Sequence, residues 1–465
     1  MSDQEASPPG ADQPASPPGA DQPASPPGAD QTGLAARRAA LAALTAVEDD
    51  DAYANLAVPA AVDRLTETRD RAFASHLAYD TLRWEGTLDW ALGHVLSRPL
   101  EQVEPALRRI LRLGALQLLR TAVPARAAVS TSVALARETV PAGRAQGAGG
   151  FVNGVLRNLD RRRDDLPWPD VDTDPVAHLA LTTAHPDWVV RDLLQRHDVD
   201  RVRAILDADD APPGVTLRAT GDRDALVEEL LAEGLEARPG ALPEAVRVPG
   251  ADPRRLAAVI EGRAAVQDEA SMQVARATGA AAGDRVLDLC AGPGGKTAHL
   301  AALVGSDGQV TAVELHPHRA RMVDETATRL GVDVEVHVGD ATRPPLPEDA
   351  TYDHVLVDAP CTGLGTGRRR PEVRWRRRPT DATELAQVQR RLLDAAAQRV
   401  RPGGSLTYAV CTWTDVETEQ VARWFDDAHG SAFTAGERRQ LLPDHDDTDG
   451  MFIANWKRKQ NTPDR

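Results

Sequence analysis

Lysine occurs only at Lys296, Lys457 and Lys459 in this 465-residue chain, and cysteine only at Cys290, Cys361 and Cys411. The scarcity of lysine, set against abundant Arg, Ala and Asp, reads as a composition bias that carries no function. The three cysteines are too widely spaced for a Cys-x-x-Cys zinc ribbon and odd in number for a disulfide framework, so no metal is expected. No apolar run approaches the roughly 18 residues that cross a bilayer, and no membrane segment is expected. The first residues lack a basic patch followed by an apolar stretch, so the expected compartment is the cytoplasm, where thiols stay reduced. A formal net charge of -16 excludes a surface that is basic all round and leaves room only for local nucleic-acid patches.

At 42% hydrophobic residues the composition is that of a globular protein, and the length calls for more than one core. Residues 1–32 repeat a unit rich in Ala, Ser, Pro and Gly, too poor in apolar groups to offset the entropy of ordering, so a disordered tail is expected. Over residues 33–165 apolar residues recur at three- and four-residue spacing, as in Ala39 to Val47, Phe73 to Leu82 and Leu107 to Leu119, which predicts a helical bundle. Residues 166–211 continue as a helical linker, with a turn at His185-Pro186. Short strand-like runs flanking a helix predict a small α+β module over 212–272. From residue 273 to the end, buried strands at Arg285 to Leu289, Gln309 to Glu314, Val334 to Val338, His354 to Val357 and Ser405 to Val410 predict a doubly wound, Rossmann-like α/β domain.

The first of these strands runs into Cys290-Ala291-Gly292-Pro293-Gly294-Gly295-Lys296-Thr297, the strand–turn–helix junction where such sheets bind ligands. The Gly-Lys-Thr ending suggests a phosphate loop, but Cys290 stands where that motif needs its first Gly, and the dinucleotide Gly-x-Gly-x-x-Gly spacing is also unmet. Glu314, at the end of the next strand, is placed to accept ribose hydroxyls, and Asp340, past the third, to contact adenine. An adenosine cofactor is the reading that fits.

A lone cysteine is most often a small buried hydrophobe. Cys361 and Cys411, however, each follow the carboxyl end of a parallel strand and are predicted to converge on that same pocket. An electron-poor ring carbon such as cytosine C5 takes a methyl group only after a nucleophile adds at C6, a step suited to a thiolate. An acid near N3 and a base for the C5 proton complete the set. Asp358, in protonated form, is the candidate acid, and Cys361 is available for the second role or for product release.

The segments Cys290–Thr297, Asp358-Ala-Pro-Cys-Thr-Gly363, Arg369-Arg-Pro-Glu-Val-Arg-Trp375 and Cys411-Thr-Trp-Thr-Asp-Val-Glu-Thr-Glu419 resemble the RsmB/NOP (Sun-type) RNA cytosine-5 methyltransferases. Gln267–Met272 and Asp449–Ala454 look like that family's flanking signatures. The resemblance implies S-adenosyl-L-methionine as cofactor, bound by residues 290–296, Glu314, Asp340 and Asp358. It also implies Cys411 as nucleophile, Cys361 as the assisting cysteine and Lys296 as a polar group near the chemistry. Val410 stands where the family usually has Thr, and Thr418 where it usually has Asn. Asp70–Phe73, Thr81–Trp84, Ile110–Gly114 and Gly150–Arg157 resemble the NusB-like RNA-binding domain of the bacterial 16S rRNA branch. That likeness implies 16S rRNA or an assembling small ribosomal subunit as partner in preference to tRNA.

Arg368–Arg378 is the most basic stretch, and a Trp among arginines beside a catalytic loop suits exposed bases. Arg369, Arg370, Arg374 and Trp375 are the candidate RNA contacts. The competing expectation is a NusB-like RNA-binding factor without activity, against which the intact Asp358, Cys361 and Cys411 speak. A monomer is expected.

Overall fold

The protein is described by a computed structural model over residues 33–460, so the repeat tail expected at 1–32 lies outside the described residues. Seven helices form the first layer: α1 (Leu34–Asp49), α2 (Ala54–Val62), α3 (Thr68–Arg83), α4 (Glu85–Gly93), α5 (Pro105–Arg120), α6 (Ala125–Thr139) and α7 (Ala142–Arg162). Pro105 opens α5, and Pro124 and Pro141 immediately precede α6 and α7, where a missing amide costs nothing. The central α5 buries Ile110, Leu111, Leu113 and Leu116 completely. Its Arg109 and Arg112 tolerate burial because Glu48, Glu85 and Asp89 meet them.

Three further helices, α8 (Pro175–Thr182), α9 (Asp187–Leu194) and α10 (Val199–Asp210), build a core of their own from Leu179, Val190, Leu193, Ile205 and Leu206. Asp174 and Asp198 cap α8 and α10 through their side chains. That core also takes in Leu364, three residues past Cys361, and Trp413, two past Cys411. The segment read as a linker is thus the back wall of both cysteine loops.

An antiparallel sheet of order β2-β3-β1-β4 follows, made of β1 (Val215–Ala219), β2 (Arg238–Pro239), β3 (Ala245–Val248) and β4 (Ala264–Val266). With it come α11 (Arg223–Ala232) and α12 (Ala257–Ile260), while α13 (Glu269–Ala277) leads into the last domain. There β5 (Arg285–Asp288), α14 (Gly295–Val304), β6 (Gln309–Glu314), α15 (Pro317–Leu330), β7 (Glu335–Val338) and β8 (Tyr352–Asp358) alternate as expected. After them come α16 (Val373–Arg376), α17 (Pro379–Arg399), β9 (Val400–Val410), α18 (Glu419–His429), β10 (Phe433–Leu441), α19 (Pro443–Asp446) and β11 (Met451–Arg458).

The seven strands lie in the order β10-β11-β9-β8-β5-β6-β7. Successive residues feed opposite faces: Leu287, Val355, Val357 and Tyr408 pack with α17 and α18, whereas Val286, Leu356 and Ala409 pack with α13 and α14. Burial on both faces is why these strands read as continuous apolar runs. The sheet is parallel from β9 to β7, but β11 pairs antiparallel with β9 and β10 antiparallel with β11. The expected all-parallel sheet therefore carries an antiparallel edge pair, whose β10 is too polar and exposed to look like a buried strand.

Candidate active site

Between β5 and α14 the chain turns so tightly that a Cβ on Gly292 would lie 2.4 Å from Glu314 Oε2 and 2.8 Å from Arg319 Nε. The amides of this turn face inward. Cys290 N donates to Asp288 Oδ1, Ala291 N to Val313 O, Gly292 N to Glu314 Oε2 and Gly294 N to Ala291 O. What the loop offers a ligand is shape, with Pro293, Gly294 and Gly295 leading into the N-terminus of α14.

Glu314 ends β6 as a buried carboxylate whose Oε2 and Oε1 accept from Gly292 N and His316 N, both at 3.0 Å. Each oxygen keeps a second lone pair, so a vicinal diol such as ribose finds two acceptors there. Asp340 is exposed, and Thr342 donates its amide and hydroxyl to Oδ1, bonds that hold the carboxyl below its ordinary pKa. Its Oδ2 is open to an amino donor. Leu315 and Val338 leave 56% and 50% of their surface exposed at this edge, and Val338 is the register partner of Glu314. Two exposed apolar side chains beside a diol acceptor suit the flat face of a purine. Sequence reasoning passes over both, because an apolar residue at a strand end reads as more strand.

The two cysteines meet as the topology predicts. Cys361 Sγ and Cys411 Sγ are 3.3 Å apart, and Lys296 Nζ donates to Asp358 Oδ2 at 2.8 Å beside them. The hydrogen bond with Cys361 lowers the Cys411 thiol pKa against burial and the Asp358 charge, helped by the cations Lys296 and Arg370. The same bond, then burial and the charges of Cys411, Glu417 and Asp358, push Cys361 well above its usual value. Cys290 is pushed well up by burial and by Asp288, Asp358 and Glu314. Of three thiols only Cys411 is poised to ionise. Burial opposes the Lys296 charge, but its ion pair with Asp358 outweighs that and raises its pKa. Asp358, expected as the acid, is thus one half of an ion pair with Lys296.

Asp288, which sequence reasoning leaves unassigned, is buried and pushed up to about 6 by burial, against the Thr297 hydroxyl bond at 2.7 Å. Glu417 is likewise silent in the sequence. It is fully buried and accepts from Thr362 N at 2.8 Å, Thr362 Oγ1 at 2.6 Å, Thr414 Oγ1 at 2.7 Å and Gln389 Nε2 at 3.2 Å. Thr362 follows Cys361 and Thr414 lies three residues past Cys411, so one carboxylate ties both cysteine loops together. Val410 lies wholly inside the sheet core and Thr418 Oγ1 donates to Thr414 O at 2.8 Å. The polar support of the nucleophile loop thus comes from Glu417, and Val in place of Thr at position 410 removes none of it.

The arginine run is corrected most. Arg374 is 1% exposed, its guanidinium divided between Asp209 and Asp210 at 2.6 Å each and Ala184 O at 3.0 Å. Trp375 plugs the helical bundle, with Nε1 donating to Leu82 O at 2.8 Å and its ring so close that a Cβ on Gly86 would fall 2.4 Å from it. Neither side chain is free for RNA. Arg369 is held by Asp268 at 2.8 Å and Asp449 at 3.1 Å. Arg368 and Arg376 donate to backbone carbonyls of other segments, and Arg377 to Thr362 O at 3.0 Å. A chain with surplus carboxylates uses most of this run as an interdomain clamp, since buried guanidiniums require such partners. Among the four candidates and the described residues, only the side chain of Arg370 has no hydrogen-bonded partner. Its guanidinium lies 4.6 Å from the ring centroid of Tyr53.

Among the described residues no helix is long and apolar enough to cross a membrane, and no His, Cys, Asp and Glu side chains cluster as a metal site.

Comparison with known proteins gives a consistent result. Residues 278–457 match the family model described as 16S rRNA methyltransferase RsmB/F, residues 34–161 that of the NusB family, and residues 185–253 the ferredoxin-like domain of RsmF/B-like methyltransferases. A Mycobacterium tuberculosis protein named only as a methyltransferase is 43% identical over 91% of this chain and 96% of its own length. Ribosomal RNA small subunit methyltransferase B of Klebsiella pneumoniae is 31% identical over 89% of this chain and 96% of its own. The solved structure PH0851 shares the fold with a TM-score of 0.80 at 24% identity, covering 91% of this chain and 99% of that one. NSun6 from Pyrococcus horikoshii, solved with SFG, covers 59% of this chain and 99% of that one, with a TM-score of 0.54 at 21% identity.

Proposed function

The chain belongs to the RsmB/F family of 16S rRNA methyltransferases, and from that premise we propose that it methylates C5 of a cytosine in 16S rRNA through a covalent bond from Cys411 to C6. The observation that carries this reading is the 3.3 Å approach of Cys361 and Cys411 beside the Lys296–Asp358 pair. A plain amine or oxygen methyltransferase has no use for one thiol lowered by another.

S-adenosylmethionine, whose adenosine suits Glu314, Asp340, Leu315 and Val338 and the turn at 290–296, supplies an electrophilic methyl group. The Cys411 thiolate attacks C6, and the ring electrons move toward N3, which takes a proton. Lys296 and Asp358 together hold one transferable proton: its shift from Nζ to the carboxylate makes Asp358 the donor to N3. C5, now electron-rich, takes the methyl group while the electron pair of the broken S–CH3 bond stays with the departing S-adenosylhomocysteine. Cys361, beside Cys411, is the base available for the C5 proton; the C5–H pair restores the C5–C6 double bond, the C6–S pair returns to Cys411, and N3 gives its proton back to Asp358. Both faces of the ring must be open, so the cytosine is single-stranded or flipped out of its stack.

The test is nucleoside analysis of a 16S rRNA transcript after incubation with labelled S-adenosylmethionine. Label in 5-methylcytidine is expected, whereas label in any other nucleoside, or none, overturns the reading. Bisulfite sequencing of ribosomal RNA from a deletion strain locates the cytosine. Cys361→Ala removes the bond that lowers the Cys411 pKa and is expected to slow addition somewhat but release far more, so a protein–RNA adduct builds up on a denaturing gel. Turnover without adduct would remove the assisting role.

A further inference from the structure

The loop that carries Arg370 packs against the helical bundle. Tyr53, the residue before α2, is 47% exposed and its ring faces Arg370. Residues 51–54 are fixed to the catalytic loop from several sides. Glu372 Oε1 accepts from Ala54 N at 3.1 Å, and Arg376 donates to Ala52 O at 3.0 Å and to Val47 O. Trp375, seated against Gly86, anchors the same loop between Glu372 and Arg376. The other end of the loop is tied to the nucleophile, because Gly365 N donates to Cys411 O at 2.9 Å and Arg370 N to Thr366 O at 2.9 Å.

The Arg370 guanidinium therefore lies against an aromatic ring, with Glu372 nearby but no carboxylate within ion-pair distance among the described residues. It lies near enough to Cys411 for its charge to act on the thiol. Every other arginine from 368 to 377 whose guanidinium is buried or half-buried is engaged with the protein. Leu56, 63% exposed on the first turn of α2, adds apolar surface next to Tyr53. A guanidinium held over an aromatic ring by cation–π attraction, with no hydrogen-bonded partner, keeps N–H donors for a planar or tetrahedral oxyanion.

We propose that Arg370, held against the ring of Tyr53 of the helical bundle, grips a backbone phosphate of the single-stranded RNA at the target cytosine, making Tyr53 a positioning residue of the active site. The proposal rests on RNA being the substrate, as read above. The helical domain then has a second role, completing the site that Cys411 occupies in addition to holding whatever RNA its own surface binds.

Binding of a 16S rRNA transcript, measured across a salt series without methyl transfer, tests this separately from the chemistry. Arg370→Ala is expected to weaken binding and to reduce the slope of log affinity against log salt by about 0.7, the loss of one phosphate contact on a single strand. Tyr53→Ala is expected to weaken binding by roughly three- to thirty-fold, with Tyr53→Phe restoring most of the loss because the ring does the holding. In an Arg370→Ala background, Tyr53→Ala should add nothing further. S-adenosylmethionine affinity, measured by calorimetry, should be the same in all variants. An unchanged salt slope in Arg370→Ala, or an undiminished Tyr53→Ala effect in that background, overturns the proposal. A wild-type enzyme that binds the transcript with these properties yet forms no 5-methylcytidine would instead remove the reading of the chemistry and leave the clamp standing.

Discussion

Replacing Cys411 by Ala is expected to lower methyl transfer to 16S rRNA by roughly four to six orders of magnitude, the scale seen when a nucleophile is removed from a covalent mechanism. Cytosine C5 is not nucleophilic until C6 has been attacked, and no other side chain at the site can do this. Cys290 and Cys361 are both held well above their ordinary thiol pKa, and serine in place of Cys411 would stay un-ionised at neutral pH. Cofactor binding should persist, because Glu314, Asp340 and the turn at 290–296 do not depend on the sulfur. The lowered pKa of Cys411 fixes the sign of the pH response. Activity should fall as acid protonates the thiolate, with a midpoint below that of an ordinary thiol. Iodoacetamide at neutral pH should alkylate Cys411 before the other two cysteines. Methylation at the wild-type rate in Cys411→Ala would eliminate the covalent route.

Arg374→Ala is expected to cost about 3–5 kcal/mol, read as a lower urea midpoint, because it strands two buried carboxylates. Asp209 and Asp210 both point at this guanidinium, and His185 Nε2 lies 3.2 Å from Asp209. Burial alone would raise the Asp209 pKa, and the Arg374 charge with the His185 bond turns the shift downward. In the wild type, then, Asp209 contributes stability above its unfolded pKa, and that contribution is lost as pH falls through its lower folded pKa. Without Arg374, burial acts unopposed by that charge, so the deficit of the variant should shrink on acidification as the stranded carboxylates take up protons. Lysine should rescue poorly, since one ammonium cannot span both carboxylates as the guanidinium fork does. A midpoint within experimental error of wild type would show that the clamp is not holding the interface. The same variant should also weaken RNA binding, because Arg374 sits in the loop that presents Arg370.

The catalytic core is legible in the sequence to the extent that it is local. The parallel strands inside the sheet are buried on both faces and read as apolar runs, the edge strand β7 being the half-exposed exception, and the residues just past their ends are ligand-facing by topology. Those two properties suffice to put Cys361, Cys411, Glu314 and the glycine turn at one edge of the sheet, where they are found. The edge pair β10 and β11 escapes, since β10 is exposed and charged and its only strand signal is the partner it pairs with. Glu417 escapes for a similar reason. A buried glutamate looks like a surface one until Thr362, 55 residues earlier, is found donating to it.

The arginine run shows the limit most clearly. Its residue types say that the stretch is cationic, but not which cations are already neutralised. That depends on Asp209, Asp210, Asp268 and Asp449, carboxylates up to 165 residues away in the chain. Chain order and periodicity determined the doubly wound domain and the two thiols at its edge, because side-chain alternation and strand-end position are local properties. Only the tertiary structure decided that Arg374 and Trp375 are a clamp, that the Arg370 side chain has no hydrogen-bonded partner among the described residues, and that a tyrosine of the helical bundle faces it. Charge neutralisation and burial are set by groups brought together from distant parts of the chain.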